Sequence, residues 1–283
     1  MEITAEVLDL RPYLFTIAYS MLGEIAEAED MVQDVYEKWI TVENVREPKP
    51  YLGRMVVNKS IKRLNELKAL RETYTGTWLP EPYITAEPTD TATIEYGLLF
   101  LLERLNPLER AVFILRESFT EEYSYIAELT GLSMDNCRQT LHRSYDKLGR
   151  KPHTPVDPSK HNALIEAFLL SVLKQDRSSL EQLLRNDIEL YSDGGGKRSA
   201  ALKPLFGLEK VRKFLFSVIQ LPESQSDMFE YKPAFVNGAP AVLILRKADN
   251  ELDSIQYYEM DNTVISRLLI VRNPDKLKIR TAS

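Results

Sequence analysis

The sequence predicts a multidomain protein: two all-α helical domains followed by an α+β domain. Two proline-rich breaks and one change of periodicity point to it. Residues 71–92 (RETYTGTWLPEPYITAEPTDTA) contain Gly76, Pro80, Pro82 and Pro88 and form an expected irregular linker. Residues 151–158 (KPHTPVDP) hold three prolines in eight positions and mark a second boundary. Before residue 150, apolar side chains recur at helical spacing. From Phe229 onward they come in short runs rich in β-branched and aromatic residues. The expected modules are therefore 1–70, 93–150 and 159–283, with linkers at 71–92 and 151–158.

The 283 residues are 44% hydrophobic and 28% charged, so each module can bury a core. No apolar run approaches the roughly 20 residues needed to span a bilayer. The first residues also lack the basic-then-apolar pattern of a signal peptide, so no membrane partner is expected. One cysteine, Cys137, excludes an internal disulfide framework and a cysteine-based zinc site, and it suits a reducing cytoplasm. Three histidines (His142, His153, His161) are too few for a metal cluster, and no cofactor is expected. A net charge of −6 argues against indiscriminate coating of nucleic acid.

Charge in the first module is segregated. Residues 22–47 carry eight acids against two bases, whereas 49–72 carry seven bases against two acids. Two different partners are implied, only one of them polyanionic. In the acidic stretch Ala28, Met31, Val32, Val35 and Trp39 form a core stripe. Asp30, Gln33, Asp34 and Glu37 repeat on another face, and on periodicity alone a solvated acidic face is the favoured reading. The next helix sets Arg54, Asn58, Lys59, Lys62 and Arg63 beside an apolar side of Leu52, Met55, Val56, Ile61 and Leu64. Tyr51 stands at its start. Aromatic plus basic residues suit unstacked single-stranded bases, although lysine-rich helix faces are routine.

The second module holds a helix-turn-helix pattern over 123–148. Ala127 permits a close helix crossing, Gly131 suits a tight turn, and Ser133 is a good N-cap for the second helix. Cys137, Leu141 and Leu148 make that helix's buried stripe, so Cys137 is expected to pack rather than react. Asn136, Arg138, Gln139, His142 and Arg143 lie away from the stripe, where a recognition helix meets base edges and phosphates. An ordinary helical hairpin with a solvated charged side is the alternative. In the third module helices are expected near 159–175, 178–185 and 207–219. Strands are expected at Phe229–Val236, Ala241–Lys247, Ser254–Met260 and Val264–Val271, with hairpin signals at Asn237-Gly238 and Asp261-Asn262.

The stretch Ala18–Trp39 (AYSMLGEIAEAEDMVQDVYEKW) closely resembles region 2 of extracytoplasmic-function sigma factors. Leu105–Leu115 (LNPLERAVFIL), with the helix-turn-helix, resembles their region 4. Trp78–Pro82 (WLPEP), Asp193–Lys197 (DGGGK) and Asn273–Leu277 (NPDKL) resemble motifs of the subgroup with a fused SnoaL-like C-terminal domain. That resemblance implies a sigma factor whose Asp30, Gln33 and Asp34 dock on core RNA polymerase. Tyr51, Arg54, Asn58, Lys59, Lys62 and Arg63, with the Val45–Pro50 loop, would hold the minus-ten element of promoter DNA. Asn136, Arg138, Gln139, His142 and Arg143 would read the minus-thirty-five duplex. Acids at Thr120-Glu-Glu122 stand close to that DNA.

The resemblance further implies a cone-like α+β domain with a pocket, acting as a built-in regulator in place of a separate anti-sigma protein. Trp78, Pro80, Asp193, Gly195, Lys197, Asn273, Asp275 and Lys276 are its expected contact residues. The glycine-rich segment lacks P-loop spacing, and a flexible, charged docking loop is expected there. Trp78 would seek a pocket or pack on its own helical domain. Three functions compete: sigma factor, free-standing duplex-binding repressor or activator, and small-molecule enzyme. For the last, Asp193, Tyr257 and Glu259 are the candidate acid–base groups, and an unknown ligand in the pocket is compatible with the first.

Overall fold

The computed structural model describes residues 4–85, 94–149, 158–219, 228–261 and 263–278. The chain divides into two compact units. One gathers residues 1–73, 90–94 and 98–153, and the other 74–89, 95–97 and 154–283. This corrects the three-module expectation twice. The two helical modules pack as a single body, and the described stretch 74–85 is built into the C-terminal unit rather than standing free as a linker. His153 and most of the 151–158 break lie outside the described residues.

The helical unit contains α1 (Ala5–Leu8), α2 (Arg11–Leu22), α3 (Ile25–Ile40) and α4 (Pro48–Arg71). After the end of α5 (Tyr96–Leu101) and a single 3₁₀ turn come α6 (Pro107–Glu117), α7 (Tyr123–Thr130) and α8 (Met134–Leu148). The stripe predicted on α3 is buried as Ala28, Met31, Val32, Val35 and Trp39. An Asn106/Glu109 capping box starts α6, and the Ser133 hydroxyl accepts from the Asn136 amide to start α8. Gly131 ends α7 with φ +73°, which a glycine adopts without strain. Gly53 of α4 lies against Leu129 and Tyr125 of α7, so the basic helix and the helix-turn-helix are in direct contact.

A buried ionic cluster stitches α2, α4 and α6 together. Arg110 is fully buried; its Nε donates to the Ser20 carbonyl at 2.9 Å and its guanidinium pairs with Glu103. Arg71 reaches Glu103 at 2.8 Å and Glu24 at 3.1 Å, while Lys68 donates to the Leu105 carbonyl at 2.5 Å. Burial pushes the Glu103 pKa up, but Arg110, Arg71 and Lys68 outweigh it and hold the carboxyl below its usual range.

The C-terminal unit is a seven-stranded sheet flanked by helices. In chain order the elements are β1 (Ile84–Thr85), α9 (Pro158–Leu173), α10 (Arg177–Leu183), β2 (Leu184–Asp193) and β3 (Leu205–Phe206). These are followed by α11 (Leu208–Ile219), β4 (Phe229–Val236), β5 (Ala239–Arg246), β6 (Leu252–Asp261) and β7 (Val264–Val271). Strand order is β1-β4-β5-β6-β7-β2-β3, and among the described residues only β2 and β7 pair in parallel. Phe168 of α9 meets Tyr258 of β6 edge-on at 5.4 Å, within a core that also holds Ile165, Leu190, Val211 and Leu268. Asn237 and Gly238, both at positive φ, close the β4–β5 hairpin in two residues. Asn262 of the second hairpin signal lies outside the described residues. The short β1 pairs with β4 and covers an edge that would otherwise expose unpaired backbone groups.

Strands β1, β2 and β3 were not among the expected elements, and β2 is the longest of them. The helix expected at 178–185 ends at Leu183, and the chain enters β2 at once. The polar residues Arg185, Asn186 and Asp187, together with a register irregularity between Leu184 and Glu189, mask the alternation there. Arg110→Ala strands Glu103 among buried groups and should cost about 3–5 kcal/mol. Urea unfolding followed by far-UV circular dichroism measures it, and a loss below about 1 kcal/mol would show that the cluster does not hold the helical unit.

Candidate functional site

On α3, Asp30, Gln33 and Asp34 are all exposed. Gln33 donates to Glu37 at 3.1 Å, and Asp34 pairs with Lys59 of α4 at 2.7 Å. The acidic and basic faces are therefore not separate, as the sequence suggested, but tied edge to edge. Arg63 likewise grips Glu27 through two bonds, of 2.7 and 2.6 Å, and Glu66 at 3.0 Å. Arg54, Asn58 and Lys62, spaced four apart, form the outward stripe of α4. Tyr51 is half-buried with its ring 6.0 Å from Trp39. The start of α4 is engaged as well: Lys49 pairs with Glu121 at 3.2 Å and lies over the Tyr13 ring at 4.8 Å. The acid at Glu121 thus turns toward α2 and α4, while Glu122 is exposed.

On α8, Asn136, Arg138, Gln139, His142 and Arg143 are all exposed, while Cys137, Leu141 and Leu148 are buried. Burial raises the Cys137 thiol pKa, the opposite of what a reactive thiolate needs. Arg138 rests on Asp135 at 2.7 Å and over the Tyr123 ring at 5.0 Å, and His142 meets Asp146 at 3.2 Å. Exposed pairs of this kind are worth about 1 kcal/mol or less and exchange readily for phosphates.

The C-terminal unit gathers the remaining predicted residues into one latch. Asp193, expected in a flexible loop, instead ends β2 and is fully buried. Its carboxylate accepts from the Tyr74 hydroxyl at 2.6 Å, the Leu79 amide at 3.0 Å, the Gly195 amide at 3.0 Å and Lys276 Nζ at 2.7 Å. Lys276 also donates to the Leu79 carbonyl at 2.5 Å and sits 4.3 Å from the Trp78 ring centre. Trp78 therefore meets a residue of its own C-terminal unit. Asn273 donates to the Tyr74 hydroxyl at 2.8 Å and caps Asp275, which pairs with Lys197 at 2.5 Å. Gly195 has φ +60°, and a Cβ there would lie 2.4 Å from the Asn273 side chain. The Pro80 carbonyl accepts from Tyr96 at 2.7 Å. Burial and the Asp193 carboxylate push the Tyr74 pKa up. Tyr74 was not foreseen; its only sequence signal is an aromatic in a polar stretch four residues before Trp78.

The candidate acid–base groups are placed elsewhere. Tyr257 donates to Glu95, and Glu259 pairs with Arg267 at 2.5 Å. Together with Asp193, none of them lines the cavity of this unit, whose polar residues include Ser192, Asp253, Ser254 and Arg272.

The Sigma-70 region 2 family matches residues 7–69, and the Sigma-70 region 4 family matches 97–148. The chain is 30% identical over 223 residues to the ECF RNA polymerase sigma factor SigJ of Mycobacterium tuberculosis, covering 75% of this chain and 71% of that protein. The probable sigma factor SigI of the same organism is 30% identical over 186 residues, 62% of this chain and 64% of its own length. The crystal structure of M. tuberculosis SigJ superposes with a TM-score of 0.79 at 27% identity, over 97% of this chain and 99% of that one.

Two outcomes follow from the geometry. Asp193→Ala leaves the Lys276 ammonium without its buried counter-charge, a loss of about 3–5 kcal/mol. Hydrogen exchange should show faster exchange at Leu79 and little change in the helical unit; unaltered protection would refute the latch. Separately, hydrogen bonds from Arg63 hold the Glu27 pKa down. A depressed carboxyl contributes stability above its unfolded pKa and loses it as pH falls through the folded one. Glu27→Gln should therefore unfold more easily at pH 7, by about 1 kcal/mol or less, with the gap closing in acid. A gap independent of pH would contradict the pairing.

Proposed function

The chain belongs to the extracytoplasmic-function branch of the sigma-70 family, and on that premise we propose how its surfaces divide the work. It is a sigma factor that directs transcription initiation, and the family is one of non-enzymatic transcription factors that bind core RNA polymerase and promoter DNA. The exposed face of Asp30, Gln33 and Asp34 docks on polymerase. Arg54, Asn58 and Lys62, with Tyr51, meet the melted minus-ten strand. Lys59 and Arg63 join them by exchanging Asp34 and Glu27 for phosphates, a step favoured by counterion release. The outward side of α8, from Asn136 to Arg143, reads the minus-thirty-five duplex. The observation that carries this division is the exposure of all five α8 residues above a buried Cys137/Leu141/Leu148 stripe.

Two promoter elements about 25 base pairs apart are separated by on the order of 85 Å of duplex. With α4 packed on α7, the two DNA faces cannot span that distance, so the helical unit opens when polymerase receives it. The C-terminal unit modulates this activity through its hold on residues 74–82, and its cavity receives a small-molecule signal. Among the described residues no helix is long and apolar enough to cross a membrane, and the factor works in the cytoplasm beside polymerase.

Reconstitution with purified core polymerase tests the assignment. Replacing Asp30 and Asp34 by lysine should lower core affinity at least tenfold and abolish transcription. Arg138→Ala with Arg143→Ala should leave core binding intact, weaken promoter binding and reduce its salt slope by about 2. Failure of the wild-type chain to associate with core, or tight footprints without it, would overturn the proposal.

A further inference from the structure

The C-terminal unit contains a partly open cavity of about 280 Å³ with apolar and polar sides. Its walls are largely apolar, built from Phe168, Val172, Phe214, Leu215, Ile244 and Ile270, with Ser217, Tyr231 and Gln256 among them. One end is polar, where the buried Ser192 and Ser254 stand beside Asp253 and Arg272. The charges at that end are already matched. Arg272 meets both Asp253 oxygens at 3.2 Å and donates to the Ser199 carbonyl at 2.8 Å. An ionic guest would bring an unbalanced charge among mostly apolar walls, an unfavourable transfer. A guest with a hydroxyl or carbonyl head satisfies the serines and leaves the Asp253–Arg272 pair intact.

The polar end is also the back of the latch. Successive strand residues point to opposite faces of a sheet, so Ser192 turns into the cavity while its neighbour Asp193 turns to Tyr74 and Leu79. Arg272 and Asn273 repeat the arrangement just beyond β7, and the Arg272 amide donates to the Asp193 carbonyl at 2.7 Å. Ser199 and Ala200, at the far end of the glycine turn, line the cavity too. Displacing Ser192 or Arg272 therefore moves a latch residue through one peptide unit.

We propose that this cavity binds a small neutral amphipathic molecule, an apolar body with a hydroxyl or carbonyl head, and that occupancy changes the hold of Asp193 and Asn273 on residues 74–82. The proposal deepens the regulatory role assigned above to the C-terminal unit. Its size sits just below the range of about 300–1,000 Å³ usual for drug-sized ligands, which sets a one- or two-ring guest.

The test uses the free full-length chain and three matched probes: 2-naphthol, 2-naphthoate and naphthalene. Titration calorimetry should give saturable one-to-one binding of 2-naphthol, at least tenfold tighter than of 2-naphthoate. Leu173→Trp, which fills the cavity, should weaken it at least tenfold, and Ser254→Ala should bring 2-naphthol toward naphthalene. Hydrogen exchange over residues 74–82 should change on saturation with 2-naphthol. No saturable binding, equal affinity for all three probes, or indifference to Leu173→Trp would overturn the site. Binding that leaves 74–82 unchanged would overturn the coupling. None of these readouts involves polymerase or DNA, so this proposal and the assignment of promoter surfaces fail independently.

Discussion

A carboxylate removed from water costs several kcal/mol unless opposite charge and hydrogen bonds replace its hydration. Asp193 meets that demand with four donors: Tyr74 and Leu79 from one distant stretch of chain, Lys276 from another, and the neighbouring Gly195 amide. Each donor is fixed in turn. Tyr74 receives a bond from Asn273, Lys276 is held by the Leu79 carbonyl and the Trp78 face, and Gly195 takes a left-handed backbone that spares room for Asn273. One buried charge thus explains why a proline-rich stretch that looks like a linker is structured and belongs to the C-terminal unit.

The helical unit is governed by a different balance. Its interior ionic cluster around Arg110 is sequestered and geometrically specific, whereas the ties between α3 and α4 are exposed and individually weak. Exposed pairs between carboxylates and lysine or arginine can be displaced by a stronger polyanion. Storing the basic residues of α4 against the acids of α3 lowers the electrostatic self-repulsion of each face in the free chain. It also leaves both faces able to part for a competing charged partner. The overall negative charge fits the same logic, since it gives the free chain little general attraction for polyanions.

Much of the architecture could be read before any coordinates. Helical stripes, the Ser133 cap, Gly131 and the Asn237-Gly238 turn are local features, set by side chains within a few positions of one another, and each occurs where expected. Strand β2 was not legible, because a polar interruption at Arg185–Asp187 hides its alternation and its pairing partner, β7, lies some eighty residues away. Exposed and buried positions on α8 follow from its spacing, whereas the grip of α3 on Lys59 and Arg63 does not. Charge periodicity says which side of a helix is polar and nothing about what faces it.

The order of residues alone settled the helix-turn-helix, the division of charge and the family resemblance, since all three depend on short-range spacing. Long-range packing assigned the 74–85 stretch to the sheet, turned the glycine-rich segment from a loose loop into the lining of a buried carboxylate, and joined both helical modules. Those outcomes rest on desolvation, which exists only once distant segments have excluded water from the same place.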